Sequence, residues 1–275
     1  MIPAHPHGGL PIAVFDSGVG GLTVLHECLV SLPEEDFLYL GDSARFPYGD
    51  KEPEELRERA VEVAGFLLDR GAKLIVIACN SATAAGLAAV RELAEKRGVD
   101  VVAVVRPEAE IAAAITGSGK VGVLATPATV SSGAYRRALG EQGRELEITE
   151  VAAPDLAGII QNGFPFDDSV VETARAYTAP LREAGIDTLV LGCTHYPLVA
   201  PMLQRMLGRD VRLVTPGHAV AAAVQRGLAR RAIATETGGE GTYRFLCTGD
   251  VESFRELGTR FLQMPLGDVE HVEVG

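Results

Sequence analysis

Two cysteines in this chain stand where chemistry can be done. Leu74-Ile75-Val76-Ile77-Ala78-Cys79-Asn80-Ser81-Ala82-Thr83 runs from an apolar segment into a thiol and small polar residues, and an alanine-rich helical run, Ala84 to Lys96, follows. Thr188-Leu189-Val190-Leu191-Gly192-Cys193-Thr194-His195-Tyr196-Pro197 repeats the arrangement. Each reads as a buried strand, a tight turn and a helix, with the thiol at the junction. The positive end of a helix is expected to lower the pKa of a thiol placed there. An unperturbed thiol, with a pKa of about 8.5, is only a few per cent ionised at neutral pH, so a modest lowering would make it a usable base.

Other polar residues also fall at strand ends: Asp16, Ser17, Asp42, Ser43, Asn80, Thr126, Thr194 and His195. Ligands of open parallel sheets bind beyond the carboxyl ends of the strands. Two such rims facing each other would enclose a pocket with one thiol on each wall. His195, two residues after a thiol, is a candidate proton partner. Asn80, Ser81 and Thr83 can cap the helix or bind a carboxylate. Asp16-Ser17-Gly18-Val19-Gly20-Gly21 lacks the Lys-Ser/Thr ending of a P-loop, so a carboxylate on its amides is the better expectation than a phosphate. Asp16 itself can cap, bind an amine or orient a base.

Zinc is the weaker reading of the same residues. Cys193-x-His195 does not fit the usual ligand spacing and Cys79 lacks a nearby second ligand, so no metal is expected. Lys51, Lys73, Lys96 and Lys120 sit at helix or strand entrances, and none reads as a buried Schiff-base lysine. Pyridoxal phosphate is therefore disfavoured, and no cofactor is expected.

The elements that must position these groups alternate. Ile12 to Phe15, Leu38 to Leu40, Leu74 to Ile77 and Val101 to Val105 read as strands, with helices over Leu22 to Val30, from Pro53, and from Ala84. The pattern restarts at Lys120-Val121-Gly122-Val123-Leu124, with later strands at Glu147 to Val151, Thr188 to Leu191, Arg212 to Val214 and Tyr243 to Thr248. Helices are expected over Ser169 to Ala184, Ala219 to Ile233 and Val251 to Leu262, with a loop over Thr235 to Gly241. This is an α/β fold with mainly parallel sheets. Asp16 and Thr126 lie 110 positions apart, and Cys79 and Cys193 lie 114 apart, so the spacing favours two similar halves from an internal duplication. The tail is expected to return to the first half. That gives a discontinuous first domain, residues 1–103 with 214–275, and an inserted second domain, residues 104–213.

Composition bounds the rest. The 275 residues are 47% hydrophobic with a net charge of −12, which suffices for two modest cores and argues against a nucleic-acid surface. No apolar run reaches the length of a membrane span. The start, Met1 to Gly9, does not read as a secretory signal, and His5 and His7 fit a frayed tail better than a metal site. The four cysteines, with no C-x-x-C pair, are expected to be free thiols in a reducing cytoplasm, and Cys28 and Cys247 to be small buried hydrophobes.

Four segments together resemble the glutamate racemases of the cofactor-independent aspartate/glutamate racemase superfamily. They are Phe15-Asp16-Ser17-Gly18-Val19-Gly20-Gly21-Leu22-Thr23-Val24, Gly41-Asp42-Ser43-Ala44-Arg45-Phe46-Pro47-Tyr48-Gly49, Ala78 to Thr83, and Gly192-Cys193-Thr194-His195-Tyr196-Pro197-Leu198. The resemblance implies two α/β/α domains related by a pseudo-twofold axis, with glutamate bound in the cleft between them. It implies interconversion of L- and D-glutamate to supply peptidoglycan, by a homodimer in the cytoplasm. It further implies that the residue matching Cys193 acts on the L-isomer and the one matching Cys79 on the D-isomer, assisted by His195 and Asp16. Asp16-Ser17, Tyr48-Gly49, Asn80-Ser81 and Thr194-His195 match substrate-binding pairs, and Pro47, Thr83, Thr126 and Thr129 complete the expected set. A relative acting on aspartate or another acidic substrate, and a two-lobed amino-acid binder without catalysis, are the alternatives. Three positions depart from the family pattern: Arg106 stands where a Glu commonly precedes Pro107, Gln161 where many members have Glu, and Thr215-Pro216-Gly217 where Asp-Ser-Gly is frequent.

Overall fold

The structure, a computed structural model, describes residues 9–162, 168–235 and 238–275. Residues 1–8 of the expected tail, with His5 and His7, and two residues of the 235–241 loop lie outside the described residues.

The first half alternates β1 (Ile12–Asp16), α1 (Leu22–Ser31), β2 (Phe37–Gly41), α2 (Pro53–Asp69), β3 (Leu74–Ile77), α3 (Asn80–Glu95) and β4 (Asp100–Ala103). The second runs through α4 (Val105–Ile115), β5 (Lys120–Ala125), α5 (Pro127–Ser132), α6 (Ala134–Gly140), β6 (Glu147–Ala152), α7 (Leu156–Gln161), α8 (Asp168–Glu183), β7 (Thr188–Gly192), α9 (Ala200–Leu207) and β8 (Arg212–Val214). The tail adds α10 (Pro216–Arg231), β9 (Tyr243–Cys247), α11 (Val251–Leu262) and β10 (Val269–His271).

Two parallel sheets result, ordered β10-β9-β2-β1-β3-β4 and β6-β5-β7-β8. The second repeats the 2-1-3-4 core of the first, strand for strand, as the duplicated spacing predicts. β9 joins the first sheet beside β2, so the tail returns there, while β8 keeps Val214 in the second sheet through its pairing with Val190. The central strands are buried along their whole length because helices cover both faces. Ala13, Phe15, Ile75 and Ile77 face one way and pack with α2 and α3; Ile12, Val14, Leu74 and Val76 face the other, toward α1 and α10.

Several boundaries differ from the sequence reading: α10 runs Pro216–Arg231 rather than Ala219 to Ile233, and the helix after the second cysteine starts only at Ala200. The run Val101 to Val105 is not all strand: β4 ends at Ala103, and Val105 already belongs to α4. Val105, Ala109, Ala112 and Ala113 recur at helical spacing and are buried, and Pro107 falls in the first turn, where it removes no needed hydrogen bond. The helix after the first cysteine starts at Asn80 rather than Ala84. Cys79 is its N-cap residue, and its sulfur accepts from the Ala82 amide at 3.5 Å.

Candidate active site

In each sheet the chain leaves the first strand in one direction and returns in the other, so the order reverses between β1 and β3 and again between β5 and β7. Crevices open at such points beyond the carboxyl ends of the strands. Cys79 lies just past β3 and Cys193 just past β7. Both line one narrow cavity of about 30 Å³, walled by residues of both sheets.

Of the expected site residues, Ser17, Pro47, Tyr48, Gly49, Asn80, Ser81, Thr126, Thr194 and His195 also line it. Three expected residues do not. Thr83 turns its hydroxyl toward the Ile77 carbonyl, because one turn into α3 the side chain points back along the strand. Thr129 lies behind Thr126 and Ser81, within hydrogen-bond distance of both hydroxyls. Asp16 sits behind Cys79, accepting from the Gly21 amide at 2.8 Å and from the Thr194 hydroxyl at 3.5 Å, with Oδ1 unpartnered among the described residues. Phe46, Asp50, Pro154 and Ala157 complete the wall. Pro154 and Ala157 carried no chemical signal in the sequence.

In the glycine-rich loop after β1 the Gly21 amide serves Asp16, and the Leu22 and Thr23 amides are taken by the Val19 and Gly20 carbonyls. Its glycines permit close approach. A Cβ on Gly20 would lie 2.4 Å from His195 Nδ1 and from Thr194 Oγ1, and one on Gly49 would lie 2.9 Å from Thr126. The loops of the first sheet are thus pressed against those of the second.

Burial decides the electrostatics. It raises the Cys79 thiol well above its ordinary value, reinforced by the Asp16 charge, and pushes the Cys193 thiol up to about 12. The helix-terminal amides act in the expected downward direction at both thiols, but desolvation of a thiolate outweighs them. Burial also raises Asp16 and takes His195 down to about 3, so its imidazole is neutral. His195 Nε2 lies 2.9 Å from Gln161 Oε1, and Nδ1 lies 3.9 Å from the Cys193 sulfur. With Nε2 donating to the Gln161 oxygen, Nδ1 is left as an acceptor facing the thiol. Gln161 therefore does stand beside the second cysteine, through His195.

Tyr48 is held from behind. Its hydroxyl donates to Asp42 Oδ2 at 2.6 Å, and the same carboxylate takes two hydrogen bonds from Arg59 and one from Thr248. Burial opposes the charge on Asp42, yet the Arg59 guanidinium and the two hydroxyls hold its carboxyl below the usual range. Lys73 is buried, contrary to the sequence reading, but it lies at the opposite end of β3 from Cys79 and pairs with Glu35 at 2.5 Å. Among the described residues no cluster of His, Cys, Asp and Glu is arranged to hold a metal ion, and Cys28 and Cys247 are buried free thiols.

A profile described as Asp/Glu/hydantoin racemase matches residues 23–224. This chain belongs to that family. It is 44% identical to the glutamate racemase of Beutenbergia cavernae, over 96% of this chain and 94% of the relative. The crystal structure of glutamate racemase isoform RacE1 from Bacillus anthracis superposes with a TM-score of 0.91 at 36% identity, covering 97% of this chain and 98% of that one. Glutamate racemase from Francisella tularensis, crystallised with D-glutamate, gives 0.89 at 33% identity, covering 96% and 97%. Of the three departures from the family pattern, only Gln161 reaches the site. Arg106 is exposed and paired with Glu110, and Thr215 and Pro216 open α10, where a Cβ on Gly217 would meet Glu27 of α1.

Proposed function

We propose that this chain interconverts L- and D-glutamate by moving a proton at the α-carbon between two thiols. The observation that carries the reading is the position of Cys79 and Cys193, each at the equivalent strand end of its own sheet and both lining one cavity. The glutamate racemases among the relatives support glutamate as the substrate.

A racemase without a cofactor must reach both faces of one carbon, so it needs two acid/base groups. From the L-isomer, the Cys193 thiolate takes the α-proton. The electron pair of the C–H bond stays on the α-carbon and spreads into the α-carboxylate. The Cys79 thiol then gives its proton to the opposite face, and its own electron pair remains on sulfur. The D-isomer reverses the roles. A thiol that burial keeps protonated yields a stronger base once ionised, which suits a very weakly acidic α-proton. Asp16 beside Cys79 and neutral His195 beside Cys193 accept the protons that the thiols release. Ser81, Thr126 and Thr194 supply donors around the carboxylates, where they stabilise the charge that develops in the transition state. Opening of the two halves admits the substrate, and closure excludes water.

The product D-glutamate would serve peptidoglycan synthesis, in the cytoplasm and from a homodimer. No helix among the described residues is long and apolar enough to cross a membrane. The decisive experiment places the protein in deuterium oxide with L-glutamate and follows the α-proton by NMR and the optical rotation by circular dichroism. Deuterium incorporation with inversion is expected. Binding without exchange would leave only an amino-acid binder, and equal turnover of aspartate would widen the substrate class.

A further inference from the structure

A buried carboxyl group that the proton transfer does not use lies behind the cavity wall. Glu108, on α4, is 0% exposed. Its Oε2 accepts from Asn80 Nδ2 at 3.2 Å and from the Tyr135 hydroxyl at 2.5 Å, and Tyr135 accepts from the same Asn80 nitrogen at 2.7 Å. The three side chains come from α4, α3 and α6 and close a triangle. Both contacts turn the Asn80 amide nitrogen toward this mutually bonded pair and its carbonyl oxygen away from it. Its Oδ1 is buried and has no partner among the described residues, although Asn80 lines the cavity.

We infer that Glu108 is a positioning residue that locks the Asn80 carboxamide with its carbonyl oxygen free for the substrate's α-ammonium group. The inference rests on the glutamate reading of this site. A free carboxamide can turn either its donor or its acceptor to a ligand, and only the acceptor suits an ammonium group. Fixing that choice before binding removes an ordering cost and leaves the Oδ1 desolvated until the ligand pairs it. Burial raises Glu108 to about 8, so at neutral pH it accepts through Oε2 as a neutral acid and adds no full charge near Cys193. The neutral acid and a glutamine present the same acceptor in the same place.

The test is kinetic. Hydrogen bonds to charged groups contribute about 1.5–3 kcal/mol, so Glu108→Ala is expected to raise KM for both glutamate isomers about tenfold or more. Its kcat should change less, and Glu108→Gln should restore KM. Inhibition by glutarate, which has the two carboxylates but no ammonium group, should be unchanged in Glu108→Ala. Unchanged KM, failure of glutamine to rescue, or equal loss of glutamate and glutarate would each overturn the inference. If Glu108→Ala does not fold, Tyr135→Phe decides: it removes one of the two acceptors and should weaken glutamate but not glutarate. If glutarate does not inhibit the unaltered protein, the split between KM and kcat and the glutamine rescue decide. If the unaltered protein does not racemise glutamate, the proposed function fails separately, and calorimetric binding of glutamate to the same variants still tests Glu108.

Discussion

Gly20 and His195 occupy one space. They come from loops of different sheets, and a single methyl group on Gly20 would stand 2.4 Å from the imidazole Nδ1. That nitrogen is the one facing the Cys193 sulfur. Gly20→Ala must therefore push His195 away from the thiol or hold the two halves apart. A displacement of about 1 Å near a reacting group can cost about 100-fold in rate. The variant is expected to keep its far-ultraviolet dichroism and lose about that much kcat. Full activity would mean that the loops do not meet during turnover.

Much of this arrangement was readable in advance, for a physical reason. Leu74 to Ile77 and Thr188 to Leu191 are buried on both faces, so they stand out as unbroken apolar runs, and the residues just past them had to lie at a carboxyl edge. The glycines of the β1 loop were legible as a motif but not in purpose. Their role is set by Thr194 and His195, which are distant in sequence. Glu108 was missed because a carboxyl group is expected in solvent, although its spacing from Val105 and Ala112 puts it on the buried face of α4. Asn80 of α3 and Tyr135 of α6 cover it there. The thiols show a third kind of limit: the sign of the helix effect follows from sequence, but the depth of burial that overrides it does not.

The Asp42–Arg59 pair predicts a stability effect distinct from catalysis. Both side chains are buried, and Arg59 also donates to Glu62 and to the Val274 carbonyl. Removing one member of a buried pair strands the other's charge, at about 3–5 kcal/mol. Arg59→Met is expected to lower the urea midpoint accordingly and to raise KM as Tyr48 loses its anchor. An unchanged midpoint would show that Asp42 finds other partners.

His195 makes acid stability predictable in sign. Its folded pKa, about 3, lies below the usual 6.5, so the folded state favours the neutral ring. The stabilisation from this neutral ring is complete above pH 6.5 and is lost as pH falls toward 3. The melting temperature of the unaltered protein should fall over this window, and His195→Asn should flatten the fall. Parallel curves for the two proteins would place the acid sensitivity elsewhere.

Gln161 offers a direct handle on Cys193. Its oxygen lies 2.9 Å from His195 Nε2 and carries no full charge, so nothing on that side favours an imidazolium. Gln161→Glu keeps the acceptor and adds a negative charge, which raises the His195 pKa. A protonated ring then directs an Nδ1–H toward the sulfur, 3.9 Å away, and stabilises the thiolate. Reaction with iodoacetamide rises with the thiolate fraction, offset in part by the lower nucleophilicity of a less basic thiolate, so each unit by which the Cys193 pKa falls from about 12 should speed its alkylation about three- to fourfold at fixed pH. Peptide mapping at pH 8 should show Cys193 modified faster in the variant, with Cys79 as the internal reference. Equal acceleration of both thiols would indicate loosening of the cavity rather than tuning through His195, and no acceleration at Cys193 would break the link between Gln161 and the thiol.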